Sequence, residues 1–197
     1  SLGTIKKEMA DELGISNDAE FIVGGADTQI ALKSVGMGVG DVAVVSGTTS
    51  PVATITDYKY YDKQERCWTD SNLGGDTYQV ETNPGVTGLN YQKMKAFLFP
   101  DTSYEELEEE MAKQTEYLCT ASFSSLYFSE KRSLKKGGFV MKAPFDATMK
   151  PIHLIWAVVA DIACSIYVQY RSLCEMTGHE KEYILGCAGG FQSKMLC

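Results

Sequence analysis

Between Phe21 and Val52 the chain reads FIVGGADTQIALKSVGMGVGDVAVVSGTTSPV, two short apolar runs separated by glycines and one helical stretch. Phe21-Ile22-Val23 predicts a short buried strand. Gly24, Gly25 and Ala26 turn the chain with little side-chain bulk, and Asp27 stands at the start of a helical pattern through Ile30, Ala31, Ser34 and Val35. The glycines at 36, 38 and 40 stop that helix. Asp41 then opens a second strand, Val42 to Val45, which empties into the small-residue loop Ser46-Gly47-Thr48-Thr49-Ser50. A strand–helix–strand order at such short spacing leaves few architectures open beyond a layered α/β domain.

Each strand end delivers a chemical group. Asp27 puts a carboxylate at a helix N-terminus, where it reads either as a cap or as a general base. The Gly47-Thr48 loop reads either as an ordinary turn or as a backbone cradle for phosphate oxygens. It is not a Walker A loop, since no Gly-Lys-Ser/Thr follows a spaced glycine. A carboxylate facing a phosphate cradle suits phosphoryl transfer to a hydroxyl.

The order and spacing of GGADTQIALKSVGMGVGDVAVVSGTTS resemble the hallmark segment of the FGGY carbohydrate kinases, which include xylulokinases, glycerol kinases and autoinducer-2 kinases. The family's Asp-x-Gln signature is matched by Asp27-Thr28-Gln29, and its Gly-Thr turn by Gly47-Thr48. The resemblance implies that Asp27 takes the proton from a sugar hydroxyl, that Gln29 lies on the sugar side, and that Gly47 and Thr48 contact ATP phosphates. It also implies the family's fold: a ribonuclease H-like (actin-like ATPase) α/β domain with a mixed sheet flanked by helices.

Composition is compatible with this. The chain has 197 residues, 44% hydrophobic and 22% charged, enough for a sizeable core. A net charge of −8 argues against a nucleic-acid partner. Six scattered cysteines without a C-x-x-C pair, and two histidines, make a zinc site an unattractive reading and point to reduced thiols in a cytoplasmic setting. The N-terminal stretch lacks the apolar core of a signal peptide. Ile152 to Val168 is interrupted by Asp161, which predicts a buried helix and no membrane span.

Further along, residues 4–13 predict a helix, 52–56 a strand, 58–66 a solvated loop whose tyrosines could meet a partner, and 77–80 a strand. Gly88 opens a helix after the Asn83-Pro84-Gly85 turn. Ser103 and Glu106 have capping-box spacing for a helix over 104–115, whose glutamates read as a solvated face. Short aromatic runs follow, Leu126-Tyr127-Phe128 and Gly138-Phe139-Val140, before a long apolar helix from about Pro151 to Met176. His179 reads as an exposed histidine in a polar turn.

The strand Tyr183-Ile184-Leu185 runs into Gly186-Cys187-Ala188-Gly189-Gly190, a tight turn before a helix start. This resembles the family's second signature, which holds the adenosine part of ATP. By that match Gly189 and Gly190 border adenine and ribose, and Lys194 sits near the polar adenine-side position; Phe191, Gln192 and Lys194 depart from the commonest family residues. The resemblance extends from residue 21 to residue 194. It implies an ATP- and Mg²⁺-dependent sugar kinase, of ketopentose (xylulose) type or of autoinducer-2 type, of which this chain is the C-terminal domain. That domain would be partial at its C-terminus, without its N-terminal partner domain, and inactive alone. A non-catalytic nucleotide-binding member of the actin-like fold is the competing reading, and a homodimer is compatible with either.

Overall fold

A computed structural model of the chain describes residues 1–124 and 135–197. Its centre is a five-stranded mixed sheet in the order β3-β4-β2-β1-β7, built from β1 (Val42–Val45), β2 (Val52–Thr56), β3 (Trp68–Ser71), β4 (Tyr78–Thr82) and β7 (Leu185–Cys187). β1 and β7 run parallel, and the other neighbours are antiparallel. A second, two-stranded antiparallel sheet pairs β5 (Cys119–Ser122) with β6 (Gly138–Met141).

The alternation along β1 and β2 divides the layers. Val42, Val44 and Val52, with Val80 of β4, face α5 (Pro151–Thr177) and pack on Tyr170, Leu173, Cys174 and Met176. Ala43 and Ala53 point the other way, where Leu32 of α2 (Asp27–Ser34) covers them. Small residues on that face let α2 lie close, and branched ones on the other fill the space beneath the long helix. Proline at the first turn and Gly178 in the left-handed conformation (φ 73°) bound α5.

Its N-terminal half packs on α4 (Tyr104–Ala112) through Leu107, Met111, Ile152, Ile155, Trp156 and Val159. α5 is long and apolar enough to cross a membrane. Its apolar faces, however, are occupied by the sheet and by α4. Asp161, the charge that interrupts its sequence, accepts hydrogen bonds from the backbone N–H groups of Phe123 (2.9 Å) and Ser124 (3.1 Å). That carboxylate ties the helix to the loop after β5.

Several expectations are met closely: the strands at 42–45 and 52–56, α3 (Gly88–Leu98), and the capping box in which Ser103 and Glu106 exchange hydrogen bonds of 2.8 and 3.1 Å. Four differ. Phe21-Ile22-Val23 is no buried strand: these residues are 58%, 69% and 65% exposed. Phe21 exchanges backbone hydrogen bonds with Leu2 and Gly3 (2.8 and 2.9 Å), away from the sheet. An apolar run specifies an extended backbone without specifying what covers it. The helix expected over 4–13 is shorter, α1 (Lys7–Leu13). β3 has no apolar alternation and was not anticipated. His179 is half-buried, its Nδ1 3.0 Å from Thr54 Oγ1. The Leu126-Tyr127-Phe128 run lies outside the described residues.

Candidate active site

The loop between β1 and β2 is a tight hairpin end. Gly47 donates its N–H to Thr49 O (2.9 Å), while Thr48 O accepts from Thr87 N (3.1 Å) and Leu89 N (3.3 Å). The N-terminus of α3 is thus pressed against the loop. At the crossing only glycine fits: a Cβ on Gly88 would stand 2.1 Å from the Gly47 carbonyl oxygen. From the other side Gly190 donates its N–H to Ser46 O (2.8 Å), and a Cβ there would meet Ser46 Oγ at 2.1 Å. Beneath, buried hydroxyls connect the segments, with Ser50 Oγ 3.3 Å from Ser46 Oγ and 2.7 Å from Thr87 Oγ1.

These segments wall a cavity of about 420 Å³. Gly47, Thr48, Gly189 and Gly190, predicted from two sequence regions, line it together. So do Gly88, Tyr91 and Gln92 of α3, Glu105 and Glu108 of α4, and Val159 and Ile162 of α5. Glu108 accepts from Ser193 Oγ (2.5 Å) and from Met195 N (3.0 Å), and so fixes the turn that follows Gly190. It is therefore no member of a solvated glutamate face. Burial, with the Glu108 charge second, pushes the Tyr91 hydroxyl well above the ordinary tyrosine range, and that hydroxyl has no hydrogen-bond partner. Among the described residues the wall holds two carboxylates and neither lysine nor arginine.

Lys194 is exposed and lies outside this lining, whereas its neighbours Gln192 and Ser193 belong to it. The resemblance alone carried that expectation, and Lys194 follows the short 3₁₀ helix Gly189–Gln192. Asp27 and Gln29 do not line the cavity either. Asp27 is the first residue of α2, after the Ala26 cap, and its Oδ1 accepts from Thr28 N at 2.7 Å. Gln29 spends its amide on structure: Oε1 accepts from Ala26 N (3.2 Å) and Nε2 donates to Ser71 O (3.1 Å), tying α2 to β3.

Asp27 sits between residues held at the β3–β4 turn: a Cβ on Gly25 would meet the Leu73 side chain, and Gln29 bonds Ser71. Its charge reaches Glu81, which pairs with Ala53, one residue inside β2. Ala53 faces α2 and Val52 faces α5, so Glu81 lies on the α2 face of the sheet, and the structure does not bring Asp27 to the cavity. Glu81 itself is held above the ordinary carboxylate range by burial, against hydrogen bonds from Asn83 and Gln79.

Sequence reading missed Gly88, Tyr91, Gln92 and Glu108. The Asn83-Pro84-Gly85 turn before a glycine-initiated helix was the available signal for the first three, and nothing local distinguishes Glu108 from its glutamate neighbours. Among the described residues no group of three or more His, Cys, Asp or Glu side chains could hold a metal ion.

No family model matches the chain. It is 42% identical, over its whole length, to YoaC of Bacillus subtilis (strain 168), a protein named as a sugar kinase, of which it spans 40%. The xylulose kinase structure from Rhodospirillum rubrum superposes over 99% of the chain with a TM-score of 0.76 at 18% identity, again covering 40% of that protein. The glycerol kinase from Plasmodium falciparum, solved with ADP, superposes over 86% with a TM-score of 0.67 at 20% identity. The gluconate kinase from Lactobacillus acidophilus does so over 97% with a TM-score of 0.69. The chain therefore has the fold of the corresponding part of these FGGY-type kinases and spans about two-fifths of their length.

Proposed function

We propose that this chain is the C-terminal domain of an ATP-dependent sugar kinase, supplying the nucleotide cradle and the general base of phosphoryl transfer to a sugar hydroxyl. The observation that supports this best is the meeting of Gly47-Thr48, Gly88 and Gly189-Gly190 around one cavity, with approaches at Gly88 and Gly190 that only glycine permits. Such close-packed small residues suit a ligand that lies directly on the backbone. The 42% identity to a protein named as a sugar kinase and the likeness to a glycerol kinase solved with ADP point the same way.

In this reading adenosine lies along Gly189 and Gly190 against the apolar wall of Val159 and Ile162, and the phosphates run toward Thr48. The Gly47 N–H is already engaged within the hairpin, so the exposed Thr48 hydroxyl is the group at the loop tip that meets phosphate. Among the described residues the wall offers no cation, and Mg²⁺ arriving with ATP supplies counter-charge to the phosphates in this reading. Asp27 accepts the proton of the sugar hydroxyl as that oxygen attacks the γ-phosphorus and the bond from the γ-phosphorus to the β-phosphate oxygen breaks, releasing ADP. A ketopentose such as xylulose is the proposed acceptor, after the xylulose kinase likeness.

The 197-residue chain alone transfers no phosphate, because donor and acceptor are not clamped together by one domain. In the full-length protein bearing this sequence, Asp27→Asn lowers sugar-dependent ATP turnover by about two or more powers of ten without weakening ATP binding. Unchanged turnover would remove Asp27 from the chemistry.

A further inference from the structure

Residues 20–23 form an extended segment with one edge paired and the other open. Phe21 exchanges backbone hydrogen bonds with Leu2 and Gly3, and Ala19 O accepts from Ile5 N (2.9 Å), so the first residues of the chain cover one edge. Backbone groups of alternate residues point to opposite edges. Those of Glu20 and Ile22 therefore point to the other edge, and among the described residues no hydrogen bond reaches them. The side chains are as bare as the edge. Phe21 and Val23 stand on one face and Ile22 on the other, and all three are well over half exposed. Ile30 of α2, also exposed, extends the patch: its Cδ1 lies 3.4 Å from where a Cβ on Gly24 would be.

Three successive apolar residues suit a strand covered on both faces, as in the interior of an α/β sheet. An open edge with apolar faces invites pairing with another strand and is a liability when left bare. A second copy of this chain, pairing through the same edge, would cover that edge and leave both faces bare. A folded sheet with a layer on each side covers all three. The chain matches YoaC along its whole length but spans 40% of it, so the larger part of a protein of that kind lies outside these residues. We propose that residues 20–23 are a strand of a sheet formed by that larger part, and that Asp27, four residues beyond Val23, is thereby held at the junction of the two parts. This rests on the reading of the chain as part of a sugar kinase. It gives Asp27, which is exposed and away from the cavity, a second surface against which an acceptor is held.

The test is hydrogen–deuterium exchange of the full-length protein bearing this sequence, compared with the 197-residue chain. The Glu20 and Ile22 amides should exchange on the order of 100-fold more slowly in the full-length protein, where both are paired. Ile22→Asp should lower the Tm of the full-length protein by about 2–4 °C and leave that of the 197-residue chain unchanged, since Ile22 is exposed there. Equally fast exchange of both amides in the two proteins, or a Tm that Ile22→Asp moves in neither, overturns the proposal and leaves the kinase reading intact. So does sedimentation showing the 197-residue chain as a dimer with a protected Ile22 amide, which assigns the edge to a second copy. Protection of Ile22 in a full-length protein that phosphorylates no sugar supports the junction and overturns the kinase reading.

Discussion

The two faces of the sheet are built differently. On the α5 side, three segments far apart in sequence interlock through backbone contacts too tight for any Cβ, over a buried chain of hydroxyls. On the α2 side, Asp27 is exposed, and among the described residues the polar row on β4 leaves one acceptor unsatisfied. The first is a finished cradle whose geometry is fixed by packing. The second presents groups whose partners must come from a ligand or another surface. Under the proposed reading, the nucleotide side rests on backbone geometry and the acceptor side on chemistry alone.

That contrast can be broken by substitution. The largest effect expected is Asp27→Asn, which should abolish nearly all turnover in the full-length protein while Tm and ATP affinity stay the same, because Asp27 holds nothing but its own helix start. Next come the cradle glycines, read by differential scanning calorimetry and nucleotide titration. Gly88→Ala drives a Cβ into the Gly47 carbonyl, and overpacking of this kind costs about 1–3 kcal/mol or more. It should lower Tm and eliminate nucleotide binding. Gly47→Ala and Gly189→Ala, where a Cβ would meet nothing within 4 Å, should leave Tm nearly unchanged. Equal effects at all three positions would mean that the crossing is not close-packed.

Glu108→Gln comes third. The amide keeps one acceptor but loses the charge that holds Ser193 and the 195 N–H, so destabilisation of about 1–2 kcal/mol and weaker nucleotide binding are expected. Neighbouring Glu109→Gln is the exposed control and should do neither. The smallest effect is in pH dependence. Glu81 has a raised value in the folded state, so its contribution is fully present below its unfolded value and is lost as pH rises through the folded one. Glu81→Gln should accordingly gain Tm relative to the wild type on going from pH 4 to pH 7; a flat difference would contradict the burial of that carboxylate.

What could be read in advance follows the same division. The strand–loop–strand around Gly47-Thr48 and the double glycine at 189–190 were legible because glycine, threonine and apolar runs fix local backbone, and the likeness to known kinases fixed their order. Glu108 was not legible, since its role depends on a turn 85 residues away. Glu81 and Gln79 escaped because a polar residue in a strand announces which face it takes only once its neighbours are paired. Phe21–Val23 misled for the converse reason: three apolar residues predict extension, and burial is a property of the surroundings. Lys194, expected from the resemblance alone, is exposed and follows the 3₁₀ helix, outside the cavity lining.

The most direct measurement is a nuclear magnetic resonance titration of the 197-residue chain with Mg²⁺·ADP. The account predicts shifts confined to residues 46–49, 88–92 and 189–193, saturating with one site and disappearing in Gly88→Ala or when Mg²⁺ is chelated. Shifts centred elsewhere, or none at millimolar nucleotide, would contradict it.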